Sequence, residues 1–108
     1  MDVIEITSPE QFEEIFRTND KVATHFTATW RGPSRLISPV FEQYQNIVFV
    51  SVDVDKVAPV AQKYGCRTTP TFMMFKNGNK SDDLMGPNKA GLEDKVKMLA
   101  GVTVTRKT

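Results

Sequence analysis

The chain has 108 residues, 40% hydrophobic and 25% charged, with 14 basic against 13 acidic residues and a net charge of +1. That length suits one compact domain with a core that needs neither disulfides nor metals, and the composition excludes a disordered chain. Lys and Arg alternate with Asp and Glu instead of forming a basic excess, which argues against nucleic-acid binding.

No apolar run approaches the roughly 20 residues of a membrane-spanning helix. The start, Met1-Asp2-Val3-Ile4-Glu5, lacks the basic and apolar regions of a signal peptide. A soluble, cytoplasmic, monomeric protein without membrane contact is expected. Cys66 is the one cysteine and His25 the one histidine. An intramolecular disulfide is therefore excluded, and a Cys/His metal site is disfavoured. No cofactor is expected.

In chain order, Val3 to Ile6 reads as a short strand. Ser8-Pro9-Glu10-Gln11 reads as a helix start, with Ser8 as N-cap, Pro9 in the first turn and Gln11 closing a capping box. Phe12, Ile15 and Phe16 share one face of that helix. Val22 to Thr29 is β-branched and apolar, as in a buried strand. Arg31-Gly32-Pro33 marks a turn into a helix carrying Leu36, Ile37, Val40, Phe41 and Tyr44, kinked at Pro39.

Ile47 to Val52 is a near-continuous apolar run, as in a strand buried on both faces. Asp55 is the expected cap of a following helix with Val57, Val60, Ala61 and Tyr64 on one face. Thr71 to Phe75 is a further strand. Asn77-Gly78 signals a hairpin into an antiparallel strand around Lys80 to Met85. A last helix carries Leu92, Val96 and Leu99. Met73, Met74, Met85 and Met98 are expected to fill core space. The order β-α-β-α-β-α-β-β-α predicts an α/β domain over residues 1–108, a mixed sheet with helices on both faces.

These segments also carry a family resemblance. Phe26-Thr27-Ala28-Thr29-Trp30, Gly32-Pro33, Val52-Asp53-Val54-Asp55, Thr69-Pro70-Thr71-Phe72, Phe75-Lys76-Asn77-Gly78 and Gly86-Pro87-Asn88-Lys89 resemble thioredoxins in residue and spacing, to about Ala100. The resemblance implies a five-stranded mixed sheet flanked by four helices. It also implies a Trp-Cys-Gly-Pro-Cys active-site loop, where this chain reads Trp30-Arg31-Gly32-Pro33-Ser34.

Family chemistry needs a thiolate at position 31, stabilised by a helix N-terminus, and a second thiol at position 34 that releases the product. Arg31 is no nucleophile, and the Ser34 hydroxyl cannot close a disulfide. The resemblance also aligns His25 with the family's buried Asp, and Ser51 with that acid's charged partner. No catalytic residue is expected. Pro70 aligns with the family's cis-proline, and Trp30, Arg31, Gly32, Pro33, Thr69, Pro70 and Gly86 with its substrate groove.

The expected function is therefore that of a redox-inactive thioredoxin-like protein that binds proteins or peptides in the former active-site groove. Two alternatives stay open: a protein-disulfide reductase whose cysteines have been replaced, and a single-thiol redox protein using Cys66. For Cys66 a small buried core residue is the expectation, and a reactive thiol the alternative. Pairing of His25 with Ser34 as a hydrolytic couple lacks a third orienting group, so a buried histidine hydrogen-bonded to Ser51 is expected instead. Arg31 is read as an exposed cation, with anion capture as its functional alternative.

Overall fold

The structure, a computed structural model, describes residues 3–28, 46–86 and 88–101. In chain order its elements are β1 (Ile4–Glu5), α1 (Pro9–Thr18), β2 (Lys21–Thr27), β3 (Val48–Asp53), α2 (Ala58–Lys63), β4 (Thr71–Lys76), β5 (Asn79–Met85) and α3 (Lys89–Ala100). The five strands form one sheet in the order β1-β3-β2-β4-β5. The β1–β3 and β2–β3 pairs are parallel, and the β2–β4 and β4–β5 pairs antiparallel. Three helices stand among the described residues where four were expected. The remaining one, with Leu36, Ile37, Val40, Phe41 and Tyr44, falls in 29–45, outside the described residues.

Local chemistry sets the element ends. Ser8 Oγ accepts from the Gln11 N–H at 3.2 Å, as a helix N-cap should. The Gln11 carboxamide reaches back to the Thr7 N–H at 2.6 Å, one residue earlier than in a standard capping box. Asn77 and Gly78 have φ of 53° and 82°, the two left-handed residues that a tight hairpin of matching twist requires. Asn88 Oδ1 caps α3 through the Gly91 N–H at 2.9 Å, and Gly101 ends it with φ of 91°.

One cap differs from expectation. α2 starts after Val57, with Pro59 in its first turn and no side-chain cap. The buried Asp53, not Asp55, ties the approach to it: its Oδ1 accepts from the N–H groups of Asp55 at 2.9 Å and Lys56 at 3.2 Å. An aspartate at the end of β3 can bend its side chain over the next turn, whereas Asp55 already lies within that turn.

Two cores flank the sheet. On the α1 and α2 face, Phe12, Val22, Phe26, Val50, Val52, Val60 and Phe75 pack together. Here Phe12, Phe16, Tyr64 and Phe75 form an aromatic cluster with centroids 4.6 to 6.2 Å apart, the range of favourable edge and tilted contacts. On the other face Ala23, Phe49, Phe72, Met74, Leu92, Val96 and Leu99 join the sheet to α3.

Met73 and Met74 are core residues as expected, but Met85 and Met98 are 68% and 60% exposed. Met85 closes the edge strand, where no further strand covers it. No helix among the described residues is long and apolar enough to cross a membrane.

Phe75 touches Phe12, Phe16 and Tyr64 and is fully buried. Phe75→Ala is expected to lower unfolding stability by about 3–5 kcal/mol, read from the shift of the urea midpoint at unchanged slope. An exposed residue of comparable size, Met98, changed to Ala should move the midpoint far less.

Candidate functional site

The site gathers at one end of the sheet, where β2 and β3 finish and β4 begins. β4 is entered through the Thr68–Thr71 turn, in which Thr71 Oγ1 donates to Thr68 O at 2.6 Å. The Thr69–Pro70 peptide bond is cis. β5 returns beside it: Met85 is the register partner of Thr71, and the Gly86 N–H donates to Pro70 O at 2.8 Å. Gly86 sits at φ of 89°, which favours glycine.

Thr69, Pro70 and Gly86 are thus brought together. Trp30, Arg31, Gly32, Pro33 and Ser34 lie outside the described residues. Met85, exposed directly beside Gly86, is a rim residue that the sequence reading had assigned to the core. Its place at the last position before the glycine was the available signal.

Cys66 follows Gly65, whose φ of 70° turns the chain away from α2. The thiol is half-buried, not enclosed, and donates to Thr68 O at 3.3 Å. It touches the rim of the core beneath the aromatic cluster, because the left-handed turn carries it to the loop before β4.

His25 stands on β2 between Ser51 of β3 and Phe72 of β4. Its ring stacks on Phe72 at 4.7 Å and 11°. The expected hydrogen bond to Ser51 is not formed: His25 Nδ1 and Ser51 Oγ are both buried without a partner, as is Thr24 Oγ1. Each such atom costs about 1–3 kcal/mol. Ser51 lies in register with His25 on the same face of the parallel pair, but the imidazole is held flat against Phe72 and does not reach across. Burial lowers the His25 pKa to about 4, so the ring is neutral at physiological pH.

Comparison with known proteins agrees with this architecture. The family model described as thioredoxin matches residues 3–98. The chain belongs to the thioredoxin family. It is 39% identical over 97 residues to Thioredoxin-2 of Pyricularia oryzae, covering 86% of this chain and 57% of that protein. To the thioredoxin of Equus caballus it is 40% identical over 103 residues, covering 90% and 98%. The solution structure of oxidised thioredoxin from Plasmodium falciparum superposes with a TM-score of 0.78 at 36% identity, covering 92% of this chain and 99% of that one. Among the described residues of this thioredoxin-family chain, no group of three or more His, Cys, Asp and Glu is placed to hold a metal ion.

The His25 environment sets a pH dependence. The unfolded chain binds this proton near pH 6.5 and the folded chain near 4. The associated stability is fully present above 6.5 and is lost as pH falls from 6.5 towards 4. Between pH 7 and pH 4.5 the loss is on the order of 2–3 kcal/mol. His25→Phe should remove that part of the acid sensitivity, measured by urea unfolding at both pH values. An equal loss in the variant would place the sensitivity elsewhere.

Proposed function

We propose that this thioredoxin-family chain is inactive in dithiol–disulfide exchange and binds extended protein segments through the groove that its relatives use for substrates. The observation that carries the reading is the sequence Trp30-Arg31-Gly32-Pro33-Ser34 in the place of the family's Trp-Cys-Gly-Pro-Cys. Exchange begins with a thiolate attacking a disulfide sulfur and ends with a second thiol resolving the mixed disulfide. Arg31 and Ser34 supply neither.

The replacements extend to the interior. His25 occupies the position aligned with the family's buried acid, and Ser51 that of its partner. A neutral imidazole stacked on Phe72 differs in charge and shape from a carboxylate. Loss of thiols and acid together fits a relative that has left catalysis better than a reductase altered only at its cysteines.

The groove itself keeps its means of binding. Thr69 is half-buried, and among the described residues no hydrogen bond engages its main chain. Its N–H and C=O can pair with an extended segment in the manner of an added strand. Trp30, Arg31, Gly32, Pro33, Pro70 and Gly86 complete the proposed contact surface. In this reading the protein acts as a cytoplasmic monomer and needs no cofactor.

A second reading, single-thiol chemistry at Cys66, is favoured by one observation: the thiol is half-buried at the entry to β4, and not sealed in the core.

Reduction of a protein disulfide with dithiothreitol as electron source separates these readings. The native chain is expected to run at the uncatalysed rate, and the Arg31→Cys, Ser34→Cys double variant clearly above it. A native rate above background that Cys66→Ser abolishes would establish the single-thiol reading and sink the proposal.

A further inference from the structure

We propose that the groove selects acidic segments carrying an apolar side chain, with Met85 as the apolar anchor and Arg67 as the cation that reads the acid. This rests on the groove-binding reading above and names the class of partner.

The geometry places both residues at the same end of β4. Arg67 precedes the Thr68–Thr71 turn, which the 2.6 Å hydrogen bond from Thr71 Oγ1 to Thr68 O closes tightly. Met85 is the register partner of Thr71, the first residue of β4. Between them lie Thr69, whose main chain no hydrogen bond engages among the described residues, and Pro70, tied to Gly86. A strand laid along Thr69 therefore passes between the turn that Arg67 enters and the end of β5 that Met85 closes.

The chemistry of each is selective. Met85 is 68% exposed, and an unbranched thioether suits varied apolar side chains. Arg67 is exposed and no carboxylate pairs with it among the described residues.

Nearby carboxylates are already engaged or distant. Asp83, on the same strand as Met85, is held by Lys80 at 2.6 Å. Asp53 Oδ1 accepts from the Asp55 and Lys56 N–H groups. Asp53 ends β3 and Asp55 follows it, and β3 lies two strands from β4, about 10 Å away. Among the described residues, the rim around Thr69 thus carries an exposed thioether and a cation that no carboxylate pairs with. It complements an acidic segment, and it repels a basic one.

The test uses isotope-labelled full-length protein and synthetic peptides of equal length with a central leucine, flanked by glutamate, by lysine or by glutamine. At low salt the glutamate peptide is expected to bind about 3- to 10-fold more tightly than the lysine peptide. It should shift the amide signals of Thr69, Thr71, Met85 and Gly86, and the preference should shrink in high salt. Arg67→Glu should reverse the order, while Met85→Ser should weaken all the peptides about equally. Both positions are exposed, so an unchanged unfolding midpoint verifies the fold of each variant.

Equal affinity for acidic and basic peptides at those amides overturns the charge selection and leaves the groove reading standing. The same holds for an Arg67→Glu variant with an unaltered order. Failure of every peptide to bind, or shifts confined to another surface, overturns both.

Discussion

Placing β2 in the middle of the sheet constrains the rest of the molecule. It pairs in parallel with β3 on one side and antiparallel with β4 on the other. Helices cover both faces, so β2 is largely enclosed, with Val22, Ala23, Thr24 and Phe26 buried and Lys21, His25 and Thr27 half-buried. Val22 and Phe26 serve the α1 and α2 core, and Ala23 the α3 core. Thr24 and His25 must occupy the same interior, and there they leave polar atoms unpaired. A strand with one wet face could have turned one of these two groups outward, since neighbours on a strand point to opposite faces. Here the topology that gives the domain its core also fixes a half-buried imidazole, its Nδ1 enclosed, near the end of the sheet where the site lies.

The tolerance of those unpaired atoms depends on what surrounds them. The stack of His25 on Phe72 and the aromatic cluster around Phe75 supply large apolar contacts. Such contacts offset the desolvation of a few polar groups within a domain whose net stability is only several kcal/mol. A carboxylate at the same position would need a charged or hydrogen-bonding partner. Ser51 carries no charge, so the His25 and Ser51 pair is self-consistent in being neutral. Restoring the acid alone would bury an unpaired charge.

Much of the fold was legible because periodicity and end signals agreed. The alternation around Asn77-Gly78, the cap at Ser8 and the apolar run ending at Val52 each specified an element, and the structure has each within a residue or two. What the sequence hid were choices between neighbours that pattern alone does not separate. Asp55 is the expected cap, and only the end of β3 shows that Asp53 is the residue that ties the turn. Met85 obeys the strand alternation yet is exposed, because its strand is an edge. Cys66 follows a helical apolar series, and only the left-handed Gly65 shows that the chain has turned out of it. Of the candidate site, Thr69, Pro70 and Gly86 could be grouped only through resemblance. Their proximity depends on β4 and β5 pairing over a register that no local motif encodes.

This difference between local and long-range information bears on how such a chain can change function without changing fold. The sheet end converges through a glycine, a main-chain hydrogen bond from the Gly86 N–H to Pro70 O, and a hydrogen bond from the Thr71 hydroxyl to Thr68 O. None requires a thiol. Side chains at the rim are attached to that frame but do not hold it, since Arg67 and Met85 are exposed. Substitutions at such exposed rim positions usually shift stability by less than about 0.5 kcal/mol. In the proposed reading, binding through the main chain is kept, and selectivity passes to whichever side chains stand at its edges. The hydrogen bonds that hold this sheet end are thus separate from the rim side chains, and that separation is what makes the proposed binding role on a thioredoxin scaffold physically coherent.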